Sequence, residues 1–467
     1  MSVENTHLGA KKIEELLKDV KGIFFVGIGG INMSSLAHIS QSSSVKVGGS
    51  DRTPSTLTKR LEAEGIEIFY SHDASNIDGY DALVYTVAIS EDNPEYSAAR
   101  EKGIPCISRA DYMGYIMTGY EKRIGISGMH GKSTCTSMCA QTLIDAQVDP
   151  TVLSGAELCS MGGAYRAGDK EFFLFEACEY MDSFLDFNPT VSVILNIEMD
   201  HVDYFKSLEH IKRSYCAFAD ISRKNGGICV ANTDDKNVRE ALVDYGGRVV
   251  WFSIESDTAD VTAKNIRCEG GCHSFDIFDK DKLLCSVSLK VTGYHNIYNA
   301  LACACALREV GICPDDIKRG LEAFCGASRR MEYKGSLCGA RVYDDYGHHP
   351  TEIKTTLDGA RGMTEGRLFC VFQSHTYSRT AALLDGFVDA LSVADRVVVT
   401  DIYAARETDT MGLTPELVAE RIGDKAVACH SFAAAAQILT DELCEGDVAI
   451  VMGAGDVWHT FKYLDLK

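Results

Sequence analysis

The chain has 467 residues, with 46 lysines and arginines against 67 aspartates and glutamates, so its formal net charge is −21 at pH 7. Hydrophobic residues make up 46% of the chain, which is enough for packed cores and excludes a mainly disordered protein. Such acidity argues against binding to nucleic acid or anionic lipid through a basic surface. Phosphate recognition would then depend on backbone amides, a lysine or a metal ion. At about 100–200 residues per domain, the length predicts two to four domains.

Neither an export signal nor a membrane span is apparent in the sequence. The chain begins with a polar, charged stretch, and no apolar run approaches the ~18–20 residues that a membrane helix needs. The 18 cysteines include no Cys-x-x-Cys pair, which argues against a zinc ribbon or a redox pair. We expect Cys303 and Cys305 to pack as small hydrophobic residues in a helix. These features predict a cytoplasmic protein with reduced thiols and no membrane insertion.

Apolar, β-rich runs alternate with helical patterns along the chain, which predicts an α/β fold with mainly parallel sheets. The pattern begins afresh near residues 120 and 326, so we predict domains at 1–119, 120–325 and 326–467. The predicted strands, in chain order, are 22–26, 45–48, 82–87, 121–125, 172–176, 191–196, 227–231, 249–253, 341–345, 368–372, 396–400 and 447–452.

A first glycine turn lies in the segment FFVGIGGINMSSLAHI, where Gly27, Gly29 and Gly30 separate an apolar run from a helical pattern. Glycines allow a tight turn whose backbone N–H groups face an anion at the helix N-terminus. Asp51 follows Gly27 by 24 positions, near the place of a ribose-binding carboxylate in dinucleotide folds. Asn32 stands where the third glycine of G-x-G-x-x-G would be. Two interpretations stay open: a nucleotide-diphosphate site, or a structural turn that Asp51 caps.

A second glycine turn, RIGISGMHGKSTCTSM, is a sharper signal because a lysine and two hydroxyl side chains follow it. Glycine loops present backbone N–H groups to phosphoryl oxygens, and Lys132 adds a mobile positive charge. A hydroxyl of Ser133 or Thr134 can ligate Mg²⁺. Since Ile126 occupies the first glycine position of the usual P-loop, the loop is the shorter G-x-x-G-K-[ST].

Two later predicted strands end in groups that a magnesium–nucleotide site needs. FFLFEACE carries Glu176 out of an apolar run, and VILNIEMDHVDYF ends in Asn196, Glu198, Asp200 and His201. Ligands gather beyond the carboxyl ends of parallel strands, so these groups and the P-loop are expected at the same edge. Mg²⁺ prefers oxygen ligands and tolerates one imidazole.

These segments resemble the Mur ligases, the ATP-dependent amide ligases of peptidoglycan precursor synthesis. The resemblance covers essentially the whole chain. The segments that carry it are GMHGKST, EACEYMDSF, NIEMDHVDYF, TGYHNIYNALACACA, GIGGINMSSLA, GGSD, DDYGHHPTE, FQSHTYSRT and DIYAARE. The sequence departs from the family's usual residues at Ser71, Met129, Cys178, Tyr180 and Ser374. None of these departures removes a charged group that the chemistry needs.

The resemblance implies a three-domain α/β Mur ligase architecture. An N-terminal Rossmann-like domain would bind a UDP-sugar, a central P-loop domain would bind ATP, and a C-terminal Rossmann-like domain would close on the substrates. The implied cofactors are ATP and Mg²⁺, and the implied small-molecule substrates are UDP-N-acetylmuramate and L-alanine. No nucleic acid is expected, and the sequence leaves the oligomeric state undetermined.

The resemblance also assigns roles to individual residues. The UDP-sugar residues are Gly27, Gly29, Gly30, Ser50, Asp51 and His72. The ATP residues are Gly128, Met129, His130, Gly131, Lys132, Ser133, Thr134, His295, Asn296, Asn299 and Arg330. Among them, the resemblance places His295, Asn296 and Asn299 on the adenine side. The metal ligands are Ser133, Glu176 and His201, and the catalytic residues are Lys132, Asp345, His348 and Arg379, with Tyr346 beside them.

For several of these residues an ordinary structural role stays open. His348 and His349 could simply begin a helix before Pro350, and Arg379 could be a solvated helix residue. Asn296 and Asn299 stand three apart on one helix face, where capping or packing is the alternative.

The implied reaction joins L-alanine to the carboxylate of UDP-N-acetylmuramate through an acyl phosphate, with His348 as the candidate base. The nearest rival is a related ligase that joins a different amino acid or a tripeptide to a UDP-muramoyl substrate. A dinucleotide-dependent oxidoreductase built on the first turn would leave Lys132, Glu176 and His201 unexplained. A non-catalytic ATP-switch module is the third alternative.

Overall fold

A computed structural model describes residues 3–42, 45–201, 204–405 and 407–467. The chain divides into two compact units, each assembled from segments that are distant in sequence. The first unit comprises Met1–Ile197, Glu209–Trp251 and Cys305–Cys313. The second comprises Glu198–Leu208, Phe252–Ala304 and Pro314–Lys467. The three domain ranges given above remain a prediction from the sequence.

The first unit contains a parallel sheet of five strands in the order β3-β2-β1-β4-β5. Its strands are β1 (Gly22–Val26), β2 (Lys46–Ser50), β3 (Glu67–Phe69), β4 (Ala82–Tyr85) and β5 (Cys106–Ser108). Its helices are α1 (Ala10–Leu17), α2 (Ile31–Gln41), α3 (Thr56–Ala63), α4 (Pro94–Glu101) and α5 (Arg109–Met117), with a 3₁₀ turn at Ala74–Ile77. All five residues of β1 are buried, as expected for the central strand of a covered parallel sheet. The chain order reverses around β1, so the carboxyl ends of β1 and β4 form the switch point where ligands gather.

A second sheet region in the first unit has the strand order β11-β10-β6-β9-β7-β8. These strands are β6 (Lys122–Ser127), β7 (Thr151–Leu158), β8 (Gly163–Arg166), β9 (Phe172–Glu176), β10 (Val191–Ile194) and β11 (Ile228–Asn232). The helices are α6 (Lys132–Asp145), α7 (Leu208–Lys224) and α8 (Lys236–Ala241), with 3₁₀ turns at Cys159–Met161 and Tyr180–Asp186. β8 is antiparallel to β7, and the other pairs are parallel.

Strands β12 (Val249–Ser253), β13 (Val261–Glu269), β14 (Cys272–Asp279) and β15 (Lys282–Thr292) follow in the chain. In the second unit, β12 pairs with β13 in parallel through Phe252 and Ser253, and β13, β14 and β15 form antiparallel hairpins. Buried residues alternate with exposed ones along β15, which is typical of a sheet with one solvated face. Helices α9 (His295–Glu309) and α10 (Pro314–Ala323) come next.

The second unit also contains a six-stranded sheet in the order β16-β17-β21-β18-β19-β20. Its strands are β16 (Glu332–Leu337), β17 (Ala340–Asp345), β18 (Leu368–Phe372), β19 (Arg396–Thr400), β20 (Ala426–Cys429) and β21 (Val448–Met452). Its helices are α11 (Pro350–Arg361), α12 (Tyr377–Ala382), α13 (Leu384–Leu391), α14 (Pro415–Ile422) and α15 (Phe432–Glu442), followed by a 3₁₀ turn at Val457–Tyr463. β16 is antiparallel to β17, and the remaining pairs are parallel.

Strand β18 shows how both faces of this sheet are covered. Leu368, Cys370 and Phe372 belong to one buried cluster, with apolar residues of α11, α13 and α14. Phe369 and Val371 point the other way and join a cluster with apolar residues of α15. Because alternate residues of a strand face opposite sides, a continuous apolar run is what a doubly covered strand requires.

Each predicted strand coincides with an observed one to within two residues at either end. The predictions missed β3, β5, β7, β8, β13, β14, β15, β16 and β20, most of which are short or antiparallel edge elements. All 18 cysteines are described and none forms a disulfide, and Cys303 and Cys305 are fully buried as predicted. In the described part of the chain, no helix combines the length and the apolar character needed to cross a membrane.

Candidate functional site

The second glycine turn joins β6 to α6 and requires glycine at two positions. Gly128 has a φ of 145°, and a Cβ there would lie 2.9 Å from Cβ of Leu195. Gly131 is the N-cap of α6 and adopts the left-handed conformation, with a φ of 86°. These glycines let the backbone turn tightly at the N-terminus of α6, where N–H groups and the helix dipole favour an anion.

Asn196 holds this turn in place from the end of β10. Its Oδ1 accepts the N–H of His130 at 2.8 Å, and its Nδ2 donates to the His130 carbonyl at 2.9 Å. Its own carbonyl accepts the N–H of Met129 at 3.2 Å. Asn196 is therefore a positioning residue of the turn, a role that the sequence did not distinguish from a solvated strand end.

The Lys132 ammonium lies inside the turn. It donates to the carbonyls of Gly128 and Met129 at 2.6 and 3.2 Å, and to Oε2 of Glu179 at 3.1 Å. Burial alone would lower the pKa of Lys132, but the carboxylates of Glu179 and Glu176 outweigh it, so its pKa is raised. Lys132 therefore keeps its positive charge, as a phosphate-binding lysine must.

Two of the three predicted metal ligands meet at the same place. The Ser133 hydroxyl donates to Oε2 of Glu176 at 2.9 Å, and the Gly155 N–H donates to the same oxygen at 2.9 Å. A Cβ on Gly155 would lie 2.6 Å from that oxygen, so the carboxylate depends on glycine there. A hydroxyl and a carboxylate at the start of α6 are the oxygen ligands that Mg²⁺ favours. His201, the third predicted ligand, belongs to the second unit, where it has a φ of 50°.

The first glycine turn is held by the strand that follows it. The N–H groups of Gly27 and Ile28 donate to the Ser50 carbonyl at 2.8 and 3.0 Å. The Gly29 N–H donates to Oδ2 of Asp51 at 2.8 Å, and a Cβ on Gly29 would lie 2.7 Å from that oxygen. Asp51 thus caps the turn, as one of the two sequence interpretations proposed.

His72 joins the same cluster of predicted residues. Its Nδ1 lies 3.2 Å from Oγ of Ser50 and 2.7 Å from Oε2 of Glu95. The structure therefore brings Gly27, Gly29, Ser50, Asp51 and His72 together at the carboxyl ends of β1 and β2. Glu95 was not predicted, because an acid in the first turn of a helix is an ordinary N-terminal feature.

In the second unit, Arg379 is paired with an acid rather than solvated. Its guanidinium donates to Oδ1 of Asp200 at 3.1 Å through Nη2 and at 3.3 Å through Nε, and only 13% of its side chain is exposed. Burial would raise the pKa of Asp200, but His201 and Arg379 hold it far below its usual range. Arg379 follows the α12 cap Thr376, whose hydroxyl accepts the Arg379 N–H at 3.4 Å.

Asp345 is the last residue of β17, and His348 lies on the segment between β17 and α11. The carboxylate of Asp345 accepts the N–H groups of Gly347 and Met331, both at 2.9 Å, and burial raises its pKa. Nδ1 of His348 lies 3.1 Å from the Tyr346 carbonyl and 3.4 Å from Oε2 of Glu352. Burial lowers the pKa of His348 to about 4, so the ring is neutral at pH 7 and able to accept a proton.

The residues predicted for the adenine side lie at the start of α9. Asn296 donates to the Thr292 carbonyl at 2.7 Å, and Asn299 donates to Oδ1 of Asn296 at 2.9 Å. These bonds favour the capping alternative, so a direct adenine contact by either amide remains a prediction. Burial lowers the pKa of His295 to about 4, which leaves its ring uncharged. The Arg330 guanidinium lies 5.2 Å from the centre of the Tyr346 ring.

Comparison with known proteins identifies the family to which the chain belongs. The chain matches the Mur ligase family catalytic domain over residues 22–121, the Mur ligase middle domain over 126–307 and the Mur ligase glutamate ligase domain over 329–455. The chain therefore belongs to the Mur ligase family. This confirms the predicted three-domain α/β Mur ligase architecture.

Individual relatives cover nearly the whole chain. It is 44% identical to the UDP-N-acetylmuramate–L-alanine ligase of Clostridium novyi, over 96% of this chain and 98% of the relative. It is 41% identical to the enzyme of the same name from Clostridium tetani, over 95% and 98%. The crystal structure of UDP-N-acetylmuramate–alanine ligase from Thermotoga maritima is similar, with a TM-score of 0.78 and 26% identity over 95% of this chain and 98% of that one.

Proposed function

We propose that this Mur ligase joins the amine of L-alanine to the carboxylate of UDP-N-acetylmuramate with consumption of ATP. The observation that carries the proposal is the 41–44% identity, over almost the full length, to relatives that bear the name of this activity. The charged lysine inside the second glycine turn supports the use of a nucleotide triphosphate.

The proposed chemistry has two steps. An oxygen of the muramoyl carboxylate attacks the γ-phosphorus of ATP, so that ADP leaves and an acyl phosphate remains. The neutral amine of L-alanine then attacks the acyl carbon, phosphate leaves from the tetrahedral intermediate, and the nitrogen loses one proton. Catalysis depends mainly on positioning and on stabilising phosphoryl charge.

We assign the phosphates of ATP to the turn from Gly128 to Thr134. Its backbone N–H groups lie at the N-terminus of α6, and Lys132 supplies the charge that meets the β- and γ-phosphates. Ser133 and Glu176, which meet at the start of α6, would hold Mg²⁺, and the bound ion would neutralise phosphate charge. That His201 is a further ligand stays a prediction from the sequence. His295, Asn296 and Asn299 stay assigned to the adenine side of ATP, and Arg330 stays assigned to ATP.

We assign the UDP-sugar to the first glycine turn. Gly27, Gly29 and Gly30 precede α2, so the N–H groups at its start can meet a diphosphate. Ser50, Asp51 and His72 surround the turn and supply polar side chains.

In the second unit we assign Asp345, His348 and Arg379 to the reacting groups. The geometry supports different tasks for them: Asp345 holds the segment that carries His348, and Arg379 is oriented by Asp200. His348 stays the candidate base because its ring is neutral, although its low pKa makes it a weak one.

We also propose that the protein acts in the cytoplasm on small-molecule substrates without a nucleic-acid partner. The net charge of −21 disfavours polyanion binding, and ATP and UDP-sugars are cytoplasmic metabolites.

One experiment tests the assignment of function. Purified protein is supplied with ATP, Mg²⁺ and each of several UDP-sugar precursors crossed with single amino acids and a tripeptide, and phosphate release is followed. We expect release only when UDP-N-acetylmuramate and L-alanine are both present. Release with another amino acid or a tripeptide would replace this function with that of a related ligase. ATP hydrolysis that requires neither the UDP-sugar nor the amino acid would favour a non-catalytic ATP-switch module.

A further inference from the structure

Glu95 is a buried carboxylate in the first turn of α4, and its side chain is completely inaccessible to solvent. Burying a carboxylate costs free energy unless its oxygens are hydrogen-bonded, so its partners identify what it does. Neither the sequence nor the resemblance assigned it a role.

Both oxygens of Glu95 bind residues of the segment between β3 and β4. Oε2 lies 2.7 Å from Nδ1 of His72, and Oε1 accepts a hydrogen bond from Nδ2 of Asn76 at 2.9 Å. Asn76 also donates to the Ser71 carbonyl at 2.8 Å, beside His72. Glu95 therefore fixes both the backbone that carries His72 and the orientation of its ring.

His72 connects this buried group to the first glycine turn. Its Nδ1 lies 3.2 Å from the hydroxyl of Ser50, whose carbonyl accepts the N–H groups of Gly27 and Ile28. One fifth of the His72 side chain is exposed. Within the described parts of the chain, the hydrogen-bond contacts of His72 are made through Nδ1, and Nε2 has no protein partner.

We propose that Glu95 is a positioning residue for a nucleoside-diphosphate sugar: it holds His72 through Nδ1 so that Nε2 faces the ligand at the first glycine turn. The proposal rests on the proposed function and adds to it the residue that orients His72. With Nδ1 bound to the carboxylate, Nε2 is an acceptor for a hydroxyl in the neutral ring and a donor to a phosphate oxygen in the protonated ring. Both groups are present in a UDP-sugar.

The test compares E95Q, H72Q and the double variant E95Q/H72Q in the full-length enzyme. Glutamine keeps the size of Glu95 and removes its charge. We expect KM for UDP-N-acetylmuramate to rise about tenfold in each single variant, the cost of losing a hydrogen bond to a charged group. The values of kcat and of KM for ATP should stay within about twofold. Because Glu95 acts through His72, the double variant should resemble H72Q rather than show the product of both effects.

Glu64 provides a matched control in the same part of the chain. Its Oε2 lies 2.6 Å from Nδ1 of His38, so it forms the same kind of carboxylate–imidazole pair, away from the glycine turn. E64Q should leave KM for UDP-N-acetylmuramate within about twofold of the wild-type value. A comparable rise in E64Q would show a general effect of losing such pairs and would contradict the proposal.

A second measurement does not depend on the folding of E95Q. In wild-type protein labelled with ¹⁵N-histidine, we expect the Nε2 resonance of His72, identified by its loss in H72Q, to shift when UDP-N-acetylmuramate is added. An unshifted resonance, an unchanged KM in E95Q, or multiplicative effects in the double variant would overturn the role of Glu95 while wild-type turnover stands. Wild-type protein without saturable dependence on UDP-N-acetylmuramate would instead overturn the proposed function.

Discussion

The ammonium nitrogen of Lys132 lies 3.1 Å from Oε2 of Glu179, a carboxylate with only 1% of its side chain exposed. The two residues are 47 positions apart, one at the start of α6 and the other after β9. The lysine that we propose to bind phosphate is thus held by a buried acid as well as by two carbonyls of its own turn.

Replacing Lys132 by alanine should abolish catalysis. We expect K132A to lower phosphate release, driven by UDP-N-acetylmuramate and L-alanine, by at least about a hundredfold, because the charge that meets the transferred phosphoryl group is lost. The circular dichroism spectrum should show that the fold is kept. Turnover at the wild-type rate would contradict the assignment of the turn to ATP.

The ion pair between Lys132 and Glu179 should show energetic coupling. E179Q leaves a buried ammonium without its carboxylate, so we expect a loss of about 1–3 kcal/mol in the free energy of unfolding. K132M should cost a similar amount, and the double variant should be more stable than the sum of both losses indicates. Urea unfolding of the four proteins measures this coupling, and strictly additive losses would argue against a significant pair.

Glu176 should control the requirement for magnesium. We expect E176A to need a Mg²⁺ concentration at least about tenfold higher for half-maximal activity, since it removes an oxygen ligand. The control is E171A. Glu171 is an exposed acid just before β9, and its carboxylate pairs with the Lys122 ammonium at 2.7 Å. Overlapping magnesium titrations of E176A and wild type would count against a ligand role.

The contribution of Arg379 to kcat should depend on its planar guanidinium as well as on its charge. Lysine at this position keeps the charge and loses the two-nitrogen contact with Asp200, so we expect R379K to lower kcat by about tenfold or more. R421K, at an exposed arginine paired with Asp385, should keep the wild-type kcat. Equal rates in R379K and wild type would leave Arg379 without a catalytic role.

The low pKa of His348 should be visible in titration and in stability. Burial lowers this pKa to about 4 from the ordinary 6.5, so the ring stays neutral from pH 8 down to about 5.5. Between about pH 6.5 and 4 the unfolded chain binds a proton that the folded chain does not, so this residue destabilises the fold as the pH falls through that range. The Hε1 resonance of His348, assigned with H348Q, should not shift between pH 8 and 5.5. A midpoint near 6.5 would show an ordinary, solvated imidazole.

The two glycine turns of the candidate site could be predicted because their signals are local in the chain. A glycine turn between an apolar strand and a helix depends on backbone conformation over a few residues, so Gly27, Gly131 and Lys132 were recognisable directly. Apolar runs such as 368–372 marked central strands, because a strand covered on both faces needs an unbroken apolar sequence. The half-exposed strand β15 carries a strict apolar–polar alternation from Cys285 to Thr292 instead of an apolar run, and the prediction missed it.

What only the tertiary structure decided is which polar groups are buried against one another. The sequence shows that Glu95, Glu179 and Asp200 are acids, but not that they hold His72, Lys132 and Arg379. Each pair joins residues separated by 23 to 179 positions, and no local pattern encodes such a contact. Local backbone preferences therefore determined where the candidate ligand sites lie, whereas chain topology and the cost of burying charge determined which polar side chains are held there.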